Sequence, residues 1–155
     1  MNAIEMLKKD HRVIEELFQK YESLDGSDPA EKMTVFDEIR RALTLHARLE
    51  QEVFYPAYRQ HYRPDGISPD EAVEQHKEVD RIFDRLQKIQ AVSADFDAGM
   101  KELKRTVVHH VREEETEMFP SAEDKLGREK LEELAEKLQE GRRRLASEPS
   151  FRKSA

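Results

Sequence analysis

Apolar residues recur along this chain at three- and four-residue spacing, in runs separated by short polar breaks, the period of helices with one buried face. The first stripe is Ile4, Leu7, Ile14 and Phe18, preceded by Asn2, whose side chain can cap a helix while Glu5 completes a capping box. His11 lies inside that stripe and is predicted to face the core. Asp25-Gly26-Ser27 breaks the pattern, and Asp28-Pro29-Ala30-Glu31 restarts it with a cap, a first-turn proline and a boxing carboxylate. The second helix runs through Phe36, Ile39, Leu43, His46, Glu50, Val53, Phe54 and Ala57, with Pro56 expected to bend it. After Arg63-Pro64-Asp65-Gly66, the start signal recurs as Ser68-Pro69-Asp70-Glu71, and the next stripe is Ala72, His76, Val79, Phe83 and Leu86. Ser93 is placed to cap a fourth helix whose inner face reads Met100, Leu103, Val107, His110, Glu114 and Met118. Pro120 and Gly127 end this part. A further amphipathic helix, from Arg128 to about Leu145, carries Leu131, Leu134, Leu138 and Leu145 on one side.

Composition narrows the class. With 155 residues, 39% charged and 37% hydrophobic, few glycines and prolines, and no tryptophan, the chain suits one helical domain with a modest core. A net charge of -7 argues against nucleic acid as a partner, because phosphate binding needs a clustered positive surface. The one basic run, Arg142-Arg143-Arg144, sits near a helix C-terminus, where cations favour the helix dipole. Having no cysteine, the chain has neither disulfides nor thiolate ligands, leaving nitrogen and oxygen as metal donors. No stretch is long and apolar enough to span a bilayer and no signal-like segment opens the chain, so the expected location is the cytoplasm, as a monomer or homodimer.

The sharpest chemical signal is one pattern written twice. His46, Glu50, then Phe54-Tyr55-Pro56 is matched by His110, Glu114, then Met118-Phe119-Pro120. Histidine and glutamate four residues apart project from one side of a helix. That spacing alone is not selective here, since every histidine has an acid four residues on: Glu15, Glu50, Asp65, Asp80, Glu113 and Glu114. The longer shared pattern singles out His46/Glu50 and His110/Glu114. Together with the inward His11 and His76 they form a nitrogen and oxygen set whose carboxylates can bridge two cations roughly 3.5 to 4 Å apart. Iron fits this set, and zinc or manganese would accept the same donors. The alternative is four satisfied core histidines with salt-bridged glutamates. His109, about 100° round the helix from His110, points to a surface or supporting role.

Ferritin-class bundles use a Glu-x-x-His pattern, and no histidine here has a glutamate three residues before it. The reversed order, H, HxxxE, H, HxxxE, instead resembles the hemerythrin-like family, also called HHE cation-binding proteins, over about Met1 to Pro120. The resemblance implies an all-α, up-down-up-down four-helix bundle over residues 1–122, to which the chain's own pattern adds a C-terminal helix over 123–146 packed on it and a flexible tail over 147–155. It also implies that His11, His46, Glu50, His76, His110 and Glu114 ligate an oxo- or hydroxo-bridged pair of non-haem irons, the two glutamates as bridges. Oxygen-carrying members have a further histidine one turn before the third-helix ligand, where this chain has Ala72. The position is left to water, peroxide or another side chain, with Tyr55, Tyr58, His61 and Glu71 nearest in sequence. Tyr55 points away from the His46 face on an ideal helix, and distortion before Pro56 can swing it inward. An open coordination position with oxidisable tyrosines nearby makes the expected function a catalase-like reaction with hydrogen peroxide or another small oxidant in oxidative or nitrosative defence. The alternatives are oxygen, nitric oxide or iron binding and sensing without catalysis, and a purely structural metal site.

Overall fold

The computed structural model describes residues 1–62, 66–89 and 92–151; the turn read at Arg63-Pro64-Asp65 and the last four residues of the expected tail lie outside them. Six helices follow one another: α1 (Ala3–Ser23), α2 (Pro29–Leu49), α3 (Tyr55–Arg59), α4 (Pro69–Gln87), α5 (Ala94–Glu113) and α6 (Phe119–Ala146). No strand occurs among the described residues. Side chains fix the starts of α1, α2, α4 and α5. Asn2 accepts from the Glu5 amide while Glu5 reaches back to the Asn2 amide, and Asp28, Ser68 and Ser93 accept from the amides of Glu31, Glu71 and Phe96.

The long helices form an up-down-up-down bundle. α1 packs on α2, α4 on α5, and α6 returns across α1 and α2 as the additional C-terminal helix. α6 bends at Gly127, where φ is +79°, a conformation open to glycine without steric cost. Its second part lies close enough to α2 that a Cβ on Gly141 would stand 3.1 Å from Leu49 Cδ2. Beyond α6, Pro149–Phe151 forms a 3₁₀ turn, and Phe151 packs against the adjoining core.

Two apolar clusters make the core. One holds Ala3, Ile4, Leu7, Leu49, Phe54, Ala72, Met118 and Phe119 with the leucines of α6; the other holds Ile14, Phe18, Leu43, Val79, Phe83, Phe96, Leu103 and Val107. The inward histidines stand at the seam between them: His11 between Leu7 and Ile14, His46 between Leu43 and Leu49, His76 between Ala72 and Val79, His110 between Val107 and Met118. Each is under 10% exposed. The bundle thus carries a polar plate across its middle, sealed by hydrocarbon above and below.

Candidate metal centre

Each HxxxE copy is followed by the same backbone departure. From Glu50 to Phe54, and again from Glu114 to Met118, the helix widens to a π turn, with the Tyr55 amide donating to the Glu50 carbonyl and the Phe119 amide to the Glu114 carbonyl. Pro56 and Pro120 come next and have no N–H to continue the tighter register, which is the physical reason for the widening there. The bend anticipated at Pro56 is therefore a widened turn just before it. Its consequence is directional. On an α-helix a residue five positions on lies about 140° round the axis, whereas closing the turn at five residues brings Tyr55 back over Glu50. Tyr55 accordingly faces inward, and Val53, assigned to the inner stripe from sequence, is only half-buried.

All six residues of the predicted set converge. His11 Nε2 lies 3.2 Å from His46 Nε2, and His76 Nε2 lies 3.2 Å from His110 Nε2. Glu50 Oε1 is 3.3 Å from His46 Nε2, 3.1 Å from His76 Nε2 and 3.6 Å from His110 Nε2. Glu114 Oε1 is 3.2 Å from His11 Nε2 and 3.3 Å from His110 Nε2. Each carboxylate therefore touches one histidine from each pair or more, and both glutamates are fully buried. Donor atoms of His11, His46, Glu50 and Glu114, and of Glu50, His76 and His110, lie within 4.8 Å of one another.

The outer nitrogens explain why the inner ones are free to bind. His11 Nδ1 donates to Glu115 Oε2 (2.8 Å), His46 Nδ1 to Asp10 Oδ2 (3.0 Å), His76 Nδ1 to Gln51 Oε1 (3.2 Å) and His110 Nδ1 to Gln75 Oε1 (2.5 Å). With the proton on Nδ1, each Nε2 presents a lone pair to the centre. Lone pairs 3.2 Å apart repel unless positive charge lies between them, and two ligand atoms at right angles about a cation with bonds of about 2.1 Å stand about 3 Å apart. Glu50 Oε2 and Glu114 Oε1 are buried without a hydrogen-bond donor, an arrangement that is costly unless a cation or proton supplies what is missing. The donor set fits metal ions.

Protonation gives the same answer from the other side. Burial opposes charge on His11, His46 and His110, yet the adjacent carboxylates outweigh it: Glu114 and Glu115 raise His11, Glu50 and Asp10 hold His46 well above its usual range, and Glu114 with Glu50 lifts His110 to about 10. Burial alone would raise Glu50, but the His46 charge and the hydrogen bonds at its oxygens hold it well below the carboxylate range. In the absence of metal, protons occupy the places cations would take, and metal binding must displace them.

Of the four side chains considered for the position opposite Ala72, Tyr55 reaches the cluster. Its hydroxyl donates to Glu114 Oε2 at 2.7 Å and lies 3.2 Å from both Glu50 Oε1 and His76 Nε2. Burial, then the Glu114 and Glu50 charges, push its phenol far above the ordinary value. Tyr58 is buried against Phe54, while His61 and Glu71 are exposed. His109 is also exposed and pairs with Glu113, which accepts from Gln75, so it sits at the outer end of the His110 chain of hydrogen bonds.

Sequence reasoning missed the supporting shell: Asp10, Gln51, Gln75 and Glu115, with Arg142 of α6 holding Asp10 by contacts of 2.8 and 3.0 Å and Arg12 holding Glu115. A readable signal existed. Asp10 and Gln75 each precede a histidine ligand, and Gln51 and Glu115 each follow a glutamate, so the shell repeats with the motif.

On the side of the second apolar cluster, the four histidines border a cavity of about 30 Å³, otherwise lined by groups such as Ile14, Leu43, Val79 and Phe83. Room of that size takes one or two water-sized molecules. A surface groove between α1 and α5, of about 420 Å³, reaches His11 and Glu115 from outside. No helix among the described residues is long and apolar enough to cross a membrane.

Comparison with known proteins agrees with the helical-bundle fold. The crystal structure of a hemerythrin HHE cation binding domain-containing protein, the Rv2633c homolog from Mycobacterium kansasii, superposes with a TM-score of 0.79 at 26% identity, covering 98% of this chain and 95% of that one. The uncharacterized protein Rv2633c of Mycobacterium tuberculosis is 28% identical over 142 residues, 89% of this chain and 83% of its own length. A protein of Nostoc sp. named as a DNA nickase is 28% identical over 135 residues, 87% of this chain but only 37% of the Nostoc protein. Residues 2–122 match the hemerythrin HHE cation binding domain, and the chain belongs to that family of cation-binding helical bundles.

Proposed function

We propose that this is a non-haem di-iron protein in which His11, His46, Glu50, His76, His110 and Glu114 hold two irons, Tyr55 completes the His76 side, and the site consumes hydrogen peroxide in a catalase-like reaction. The observation that carries the reading is the pairing of a doubled His/Glu cluster with an adjoining cavity of about 30 Å³. A cavity of that volume admits peroxide, oxygen or nitric oxide and excludes larger organic substrates. Bound iron supplies reversible electron acceptance, so that two peroxides become two waters and one dioxygen. The chain's own residues supply the setting. The apolar layers exclude bulk water, the shell of oxygens at Nδ1 fixes the imidazoles, and the Tyr55 oxygen, 2.7 Å from Glu114 and 3.2 Å from His76, lies where it would complete the shell.

The role fits oxidative or nitrosative defence in the cytoplasm, by a monomer or homodimer acting on small molecules. Nicking of DNA is not carried over: the Nostoc protein is far longer than this chain, whose net charge of -7 disfavours phosphate backbones. A second reading, reversible binding or sensing of oxygen or nitric oxide, draws on the same cavity. The test is metal content of protein from iron-replete cells, with absorption spectra and oxygen release on adding peroxide, alongside His110→Ala. Two irons per chain and oxygen release, both reduced in the variant, support the proposal. Two irons without turnover select the binding reading, and a metal-free, folded chain rejects both.

A further inference from the structure

The two histidine pairs are alike in position and unlike in what stands behind them. Behind His11 and His46 are carboxylates, Glu115 at 2.8 Å and Asp10 at 3.0 Å; behind His76 and His110 are amides, Gln51 at 3.2 Å and Gln75 at 2.5 Å. Gln75 cannot be turned round to imitate a carboxylate without losing a bond, because its nitrogen donates to Glu113 at 2.8 Å while its oxygen accepts from His110. An imidazole N–H given to a carboxylate leaves more electron density at the opposite nitrogen than one given to a neutral amide, which makes the first the stronger ligand.

We infer that the position bounded by His11 and His46 is the tighter of the two cation positions and fills first, with Asp10 and Glu115 as the positioning residues that set the order. The inference rests on the reading that the cluster holds two cations. Guanidinium groups temper the carboxylates without cancelling them. Arg12 holds the Glu115 oxygen that His11 does not use, and Arg142 binds both Asp10 oxygens while Oδ2 still accepts from His46. On the other side the carboxylate behind His110, Glu113, stands one residue further out, beyond Gln75, and shares His109, while Asp80 borders the cavity beside His76 without bonding its Nδ1. The chain therefore builds a first and a second position from matched histidine pairs by unequal support at their outer nitrogens.

The test is titration of the full chain with cobalt(II) under argon, following the visible absorption and the shifted ring N–H proton resonances. The unmodified protein is expected to bind in two separated steps, the first missing in His46→Ala and the second in His110→Ala. Asp10→Asn with Glu115→Gln should weaken the first step roughly ten- to a hundredfold and narrow the gap. Gln51→Glu should tighten the second step, a gain that misfolding cannot produce. Two equal steps in the unmodified protein, or a first step lost with His110→Ala, would overturn the order while leaving the two-cation reading intact. Absence of cobalt uptake in a folded chain would overturn both.

Discussion

The first half of the bundle, α1 with α2, and the second, α4 with α5, carry the same candidate ligands at the same places, and they part company one residue away. His11, His46 and Glu50 correspond to His76, His110 and Glu114, and both halves widen into a π turn at the glutamate. Yet Tyr55 in the first half becomes Phe119 in the second. The Tyr55 ring stacks on His76 with centroids 5.6 Å apart, and the Phe119 ring stacks on His11 at 5.8 Å. A single hydroxyl, together with the exchange of carboxylate for amide behind the imidazoles, turns a symmetrical frame into an asymmetrical centre. The lesson is that the repeat supplies the cage while the residues flanking it distinguish its two ends.

Removing either glutamate should break both ends at once, because each meets histidines of both pairs. Glu50→Ala and Glu114→Ala are each expected to lose both cations, read by metal analysis after gel filtration; retention of one full equivalent would mean that the carboxylate serves a single end. Histidine variants should be milder and one-sided. His46→Ala and His110→Ala are each expected to keep one equivalent, with a lower melting temperature because a bound cation stabilises the folded state by mass action. Tyr55→Phe makes the halves alike at that one position. It should leave the helical fold intact and cost about 1 to 2 kcal/mol in urea unfolding of the metal-free protein, since a buried hydroxyl and its acceptors lose their bonds; any visible phenolate band of the iron-loaded protein should vanish with it.

The smallest effect lies at a contact joining the halves without belonging to the repeat. Lys32 of α2 is 6% exposed and lies 3.1 Å from Asp97 of α5, which also accepts from Tyr21 of α1. Partial burial pushes the Asp97 carboxyl upward, but the Tyr21 hydroxyl and the Lys32 ammonium outweigh it, leaving its pKa below the usual value. A carboxylate depressed in this way stabilises the fold above the unfolded aspartate value and loses that contribution as pH falls through the folded one. Asp97→Asn should therefore lower stability by under about 1 kcal/mol at neutral pH, solvent screening the exposed side of the pair, and the deficit should shrink as pH falls below the unfolded aspartate value. A deficit that grows on acidification would contradict the assignment.

Much of this was legible before any coordinates. Asn2, Asp28, Ser68 and Ser93 announce their helices through local chemistry, and His11, His46, His76 and His110 fall on apolar stripes, so helical periodicity alone aims them inward. Tyr55 was half legible. Its ideal-helix direction is outward, and only the five-residue turn ahead of Pro56 reverses it. Asp10, Gln51, Gln75 and Glu115 were not picked out because a polar residue beside a helix ligand is ordinarily a solvent-facing one; the angle at which neighbouring helices meet decides which imidazole it supports. Arg142 was read as a charge at a helix end, since nothing local links it to a residue 132 positions earlier.

That last distance has a consequence for synthesis. A growing chain has all six candidate ligands once Glu114 has been made, well before Arg142 exists to grip Asp10. A centre formed while α6 is still undocked would have one of its four imidazole supports unanchored, and the docking of that helix would then fix Asp10 against His46.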